Sequence, residues 1–132
     1  MSKPDISFAV QHLSQFMSNP RQPHLDAALH VIRYLKGTAD STLCYKSRNS
    51  SITAYCDVDY GSCKFSCRSV TGCCVFLGES LISWKTKKQK TVSKSSAESE
   101  YKTMSYTTSE IVWMAGLLTD LGIEVNRPIL LF

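Results

Sequence analysis

Two carboxylates, Asp57 and Asp59, stand two residues apart in the stretch YCDVDYGS, at the end of a run that alternates like a β-strand. Strand side chains alternate between faces, so Thr53, Tyr55, Asp57 and Asp59 share one side and Ile52, Ala54, Cys56 and Val58 the other. Two acids on one face repel each other; they are either solvated at a strand end or neutralised by a cation. A further acid, Glu100, lies on a segment with helical spacing. At about 100° per residue, Ala97, Tyr101, Met104, Thr108, Ile111, Ala115 and Leu118 form a stripe with Glu100 at its edge, directed toward the sheet. A carboxylate turned toward a core must be protonated, paired or metal-bound. Asp57 and Glu100 meeting across a helix–sheet interface would make the oxygen-rich site that Mg²⁺ or Mn²⁺ takes, with Asp59 beside it.

The remaining candidates have simpler duties. Ser95-Ser96-Ala97-Glu98 has the form of a capping box, which assigns Glu98 to a free N–H at a helix start. The other serines between Ser93 and Ser99 also read as capping residues, and Glu110 and Asp120 fall outside the stripe, where solvent is expected. The run DVDYGSCKFSCR fails as an EF-hand loop, because Gly61 takes its fifth position, Ser62 its sixth, and Arg68 the place of the bidentate glutamate. Cys63, Cys67, Cys73 and Cys74 are poorly spaced for zinc and suit the role of small hydrophobes. His12, His24 and His30 lie far from the acids, in a segment where packing or solvation explains them.

The segment SWKTKKQKTVSKSS carries Lys85, Lys87, Lys88, Lys90 and Lys94 beside Trp84, with no acid among them. Lysines protect an exposed sheet edge from pairing with another chain; beside an acidic metal site they also suit a phosphate backbone.

The elements that must position these residues follow from periodicity. KPDISFAVQHLSQFM predicts a helix from about Asp5 to Met17, and HLDAALHVIRYLKG a second, with a stripe of Leu25, Ala28, Leu29, Ile32 and Leu35 and Gly37 as its C-cap. After Gly37 the pattern turns to short strands: STLCYKS, SITAYCDVD, SVTGCCVFLG, SLISWKTK and KTVSKS. A long helix follows, closed by Gly122, and RPILLF begins another strand. The fold class is therefore α/β, a mixed α+β sheet behind a helical hairpin, divided as 1–38 and 39–132.

With 132 residues, one compact domain with appendages is expected. The net charge of +4 permits an anionic partner without requiring one. The charged start MSKPD precedes no long apolar run, so the six cysteines do not suggest a secreted disulfide scaffold. An intracellular setting, a cytoplasmic particle or the nucleus, is expected, with no membrane partner.

RYLKGT, YCDVDYGS, RSVTGCCVFLGESLISWKTKKQKTVSKSSAESEY and IVWMAGLLTDLGI resemble the C-terminal part of copia-type retrotransposon polyproteins, over nearly the whole chain. KPDISFAVQHLSQFMSNP and the helix after it resemble the connection that ends the reverse transcriptase; the rest resembles its RNase H domain. The resemblance implies an RNase H-like fold and cleavage of RNA in RNA–DNA hybrids by two Mg²⁺ or Mn²⁺ ions about 4 Å apart. By motif position it makes Asp57 and Glu100 the catalytic pair and Asp59 a supporting residue, with the remainder of the polyprotein as a partner. Tyr60 departs from the family's tryptophan, and Lys64-Phe65-Ser66-Cys67 from its loop pattern. The chain ends at Phe132, before the family's C-D-N segment, so no third catalytic aspartate lies in it. The expectation is a weak or inactive nuclease, or a nucleic-acid-binding or structural fragment, with apolar surface exposed around RPILLF.

Overall fold

A computed structural model describes residues 3–46 and 49–132. It divides into two compact units, Met1–Leu43 and Cys44–Phe132, the division falling a few residues beyond the change of pattern at Gly37.

In the first unit a 3₁₀ turn, Pro4–Ile6, leads into helix α1, Ser7–Ser14, and helix α2 spans Gln22–Gly37. The continuous helix expected to Met17 breaks into turns after Ser14. Rings line the hairpin in sequence: Phe8 stacks on His12, and Phe16 stacks on His24 at 4.0 Å between centroids. His24 also accepts the Arg21 N–H through Nδ1, at 3.0 Å, which closes the start of α2. His12 and His24 are thus packing residues, and His30 is exposed. One expectation fails here: Gly37 is the last helical residue rather than the cap, a place taken by Thr38, whose N–H reaches the carbonyls of Tyr34 and Leu35. The α2 stripe forms, with Leu25, Leu29 and Ile32 exposed.

The second unit is a four-stranded mixed sheet carrying one long helix. Strands β1, Ser51–Asp59, β2, Val70–Leu77, and β3, Ser80–Lys88, form an antiparallel meander; helix α3, Ser96–Asp120, follows, and β4, Asn126–Leu131, returns parallel to β1. The order is β3-β2-β1-β4. Of the strands expected, STLCYKS is irregular from 41 to 46, with Ser47 outside the described residues. KTVSKS is a loop, because Ser93 turns its hydroxyl to Gln89 Oε1 at 3.2 Å rather than joining a ladder. Among the described residues, no helix is long and apolar enough to cross a membrane.

Ile52 and Ala54 of β1 and Val75 of β2 form the core with Ile111 and Leu118 of α3. The alternation expected for β1 holds: the even positions carry its buried face. The stripe expected for α3 holds only in its second half, at Ile111 and Leu118, with Ala115 packed against them. Its buried stripe is Ser99, Thr103, Thr107, Ile111 and Leu118, while Tyr101, on the expected stripe, is 72% exposed. Hydroxyls are buried at low cost there because each has a partner: Thr103 bonds Thr71 across the interface at 2.8 Å, and Thr107 donates to the Thr103 carbonyl. At the far end, Gly122 at φ +76° closes α3 with paired bonds, Gly122 N–H to Thr119 O and Ile123 N–H to Leu118 O.

Candidate active site

Asp57 and Glu100 line one cleft of about 290 Å³, formed by the last half of β1, the first turns of α3 and the end of β4. The ladder between β1 and β4 ends where the Cys56 N–H meets the Phe132 carbonyl at 2.8 Å, and the cleft begins there. The two acids do not meet inside the helix–sheet interface. Alternation puts Asp57 on the face of Tyr55, opposite the core, and Glu100 is exposed beside the buried Ser99 and Thr103. They share the cleft because it opens at the sheet edge, which both faces can reach. Tyr55 and Phe132, stacked with centroids 5.3 Å apart, wall the adjoining surface. Asp59 is exposed and does not line the cleft. Among the described residues, no group of three or more His, Cys, Asp or Glu side chains could hold a metal ion, the cysteine cluster included.

Glu100 owes its place to contacts that the sequence pattern did not reveal. Gln89, just past β3, donates through Nε2 to Thr71 Oγ1, Ser99 O and Thr103 Oγ1 at 3.1–3.3 Å. It thereby clamps the turn that carries Glu100 onto the sheet. Its only visible sign is an amide inside a lysine run. The helix start is capped by Ser95 Oγ, which accepts the Glu98 N–H at 3.1 Å. The reciprocal bond of the box lands one residue early: Glu98 accepts from the Lys94 N–H at 2.7 Å, and also pairs with Lys102. The bond from Lys102, then that from Lys94, holds the Glu98 carboxyl below its ordinary range.

The basic run is divided by the strand it lies on. Lys85 and Lys87 face α3, 5.9 and 5.4 Å from the Tyr106 ring centroid, whereas Trp84 and Lys88 take the opposite face by alternation. Lys85 is engaged with Glu110 at 2.7 Å, a bond that raises its pKa; Glu110, expected in solvent, is therefore a paired and largely covered side chain. Lys88 Nζ lies 3.4 Å from Cys63 Sγ, and Ser66 donates to the same sulfur at 3.1 Å. The Ser66 hydroxyl leads the causes that lower the Cys63 thiol to about 7. Lys90 and Lys94 are exposed in the loop before α3.

No family model matches the chain, and no solved structure matches it. Among known proteins, it is 45% identical over 128 residues to the retrovirus-related Pol polyprotein from transposon RE1 of Arabidopsis thaliana, and 43% identical over 128 residues to that from transposon RE2. Each match covers 96% of this chain and 9% of the polyprotein. The secreted RxLR effector protein 161 of Plasmopara viticola is 37% identical over 115 residues, 86% of this chain and 81% of the effector. The chain belongs to the family of sequences related to retrotransposon Pol polyproteins. Within that family it corresponds to about a tenth of a Pol polyprotein's length. Asp57, Glu100 and the basic run all fall inside a chain matched over 96% of its residues, so they belong to the stretch that the retroelement relatives share.

Proposed function

We propose that this retroelement chain carries an RNase H-like nuclease site that cleaves the RNA strand of RNA–DNA hybrids, with Asp57 and Glu100 as its metal-holding carboxylates. One observation carries the reading: two acids from distant parts of the sequence line the same cleft at the edge of β1. The sheet order, with an antiparallel meander, a helix packed on it and a fourth strand parallel to the first, is the arrangement that the family resemblance implies.

The donor set fits one hydrated divalent ion. Mg²⁺ keeps several waters and is held by one or two carboxylates together with substrate phosphates, and two carboxylates supply charge for one such ion rather than two. Held by Asp57 and Glu100, such an ion would supply activation of water and charge stabilisation for the leaving 3′ oxygen. The chain's own residues do the rest. Asp57 and Glu100, both exposed, are open to a polyanion that they would repel without the ion. Gln89, Ser99 and Thr103 fix the turn that holds Glu100. Asp59, outside the cleft, adds negative charge nearby. Cleavage by this chain alone is therefore slow, and it works with the remainder of the Pol polyprotein.

The test is cleavage of a labelled hybrid with Mg²⁺ or Mn²⁺. Slow, metal-dependent cutting lost in both Asp57→Asn and Glu100→Gln is expected, with Asp59→Asn retaining it. Cutting that survives either of the first two substitutions refutes the assignment. The lysine-lined surface favours a second reading, a nucleic-acid-binding segment without catalysis, which salt-dependent binding with no cleavage would select.

A further inference from the structure

The loop between β1 and β2, residues 60–69, sets two thiols at the ends of one turn. The backbone closes that turn twice: the Cys67 N–H meets the Cys63 carbonyl at 2.7 Å, and the Cys63 N–H meets the Arg68 carbonyl at 3.2 Å. A chain closed from residue i to i+4 covers about one helical turn, with roughly 6 Å between its end Cα atoms. That separation lies inside the roughly 4.4–6.8 Å that a disulfide bridges. Both cysteines are free thiols.

Their surroundings differ. Cys63 is buried, and its Sγ accepts from the Ser66 hydroxyl at 3.1 Å and from the Lys88 ammonium at 3.4 Å, two donors that favour a thiolate. Cys67 is exposed on the same loop. One sulfur is thus prepared to attack, and a second stands one turn away. Cys73 and Cys74 of β2 are in the opposite condition: burial pushes both thiols up, as it does in inert cysteines.

We propose that Cys63 and Cys67 form a thiol oxidation site, at which a hydroperoxide converts the pair into a disulfide within the loop. The Cys63 thiolate attacks the peroxide; a sulfur–oxygen bond forms, the oxygen–oxygen bond breaks, and the alkoxide or hydroxide that leaves takes up a proton. The Cys67 thiol then attacks the sulfenic acid on Cys63, the sulfur–sulfur bond forms, and water leaves. The two thiols lose two electrons, which the hydroperoxide gains in becoming alcohol and water, or two waters from hydrogen peroxide. Closure also draws the Cys63 sulfur away from Lys88, which breaks a contact between the loop and β3.

The low thiol sets the expected rate. At pH 7 a pKa of about 7 leaves about half of Cys63 as thiolate, against about 1% at the ordinary 9.0. Lower intrinsic nucleophilicity takes back a factor of about 6 to 10, so attack should be about 5- to 8-fold faster than without the two donors.

The experiment treats the full chain with hydrogen peroxide in EDTA at pH 7, blocks the remaining thiols with iodoacetamide and cuts with trypsin without reduction. Cutting after Lys64 separates the two cysteines, so the disulfide holds peptide 49–64 to peptide 65–68. That linked pair is expected, with fragmentation placing the bond on Cys63 rather than Cys56, and it should be lost in Cys63→Ser. In Cys67→Ser, a sulfenic acid that dimedone traps should persist at Cys63. Ser66→Ala/Lys88→Gln should slow formation of the pair by up to that 5- to 8-fold. Peroxide that leaves Cys63 unmodified, or that joins Cys67 to another cysteine, overturns the site. A rate unchanged in the double variant overturns the part given to Ser66 and Lys88. Hybrid cleavage enters none of these readouts, so the nuclease reading and the oxidation site stand or fall separately.

Discussion

Replacing Gln89 by alanine isolates what holds the first turns of α3, and with them Glu100, against the sheet. The wild-type amide shares its two N–H donors among three acceptors and accepts one hydrogen bond from Ser93. Truncation removes them all. It leaves the 2.8 Å bond between Thr71 and Thr103 intact, so neither buried hydroxyl is orphaned. The loss should then sit near the net worth of a hydrogen bond, about 1 kcal/mol each, rather than the full cost of a buried unsatisfied group. Some recovery by water leaves about 2–3 kcal/mol, a factor of roughly 30 to 150 in the folding equilibrium, against a total of about 5–15 kcal/mol for an ordinary domain. Urea unfolding should show a lower midpoint with unchanged m. Hydrogen exchange should speed first at the amides of Ser99–Thr103. A loss below about 1 kcal/mol, with exchange there unchanged, would mean that Gln89 is not the clamp and that Glu100 is placed by helix packing alone.

The same structure makes further demands. Glu98, its carboxyl held low by Lys102 and Lys94, stabilises the start of α3 above its ordinary value of 4.5 and loses that contribution as pH falls through the lower folded value. Acid unfolding followed by circular dichroism should therefore lose part of its pH dependence below 4.5 in Glu98→Gln. Cys63 should alkylate with a pH midpoint near 7, and Ser66→Ala should move that midpoint upward; peptide mass spectrometry with iodoacetamide reads both. Gly78 turns the β2–β3 hairpin at φ +58°, and a Cβ there would lie 2.8 Å from the Asn49 carbonyl oxygen. Gly78→Ala should cost about 2–3 kcal/mol in urea unfolding. Gly116→Ala, in α3 with open space around it, should instead gain about 0.5–1 kcal/mol.

The strands were legible because their residues alternate in a way that one buried face explains. β1 and β2 fall where Ile52, Ala54, Cys73 and Val75 require them, β3 pairs beside β2, and β4 pairs with β1 where RPILLF stands. What misled was the assumption that a buried helical stripe must be apolar. Ser99, Thr103 and Thr107 are buried because Thr71 and Gln89 lie opposite them, a match between segments distant in sequence that no periodicity within α3 can reveal. The first half of the expected stripe points Glu100 inward, whereas it stands exposed at the rim of its cleft. KTVSKS fails as a strand for a related reason: its lysines and serines fit a sheet edge, but Ser93, Ser95 and Thr91 each find partners in or near the helix start.

The corrected geometry bears on the chemistry. An acid buried in the helix–sheet interface would need a permanent counter-charge for the unit to fold, and metal binding would then be coupled to stability. Exposed at an open edge, Asp57 and Glu100 impose no such requirement, and the same urea midpoint is expected with Mg²⁺ and in EDTA. Asp57→Asn should accordingly leave the urea midpoint nearly unchanged in EDTA while abolishing cleavage. A large stability loss in that variant would place the carboxylate back in the core and refute the open-edge site.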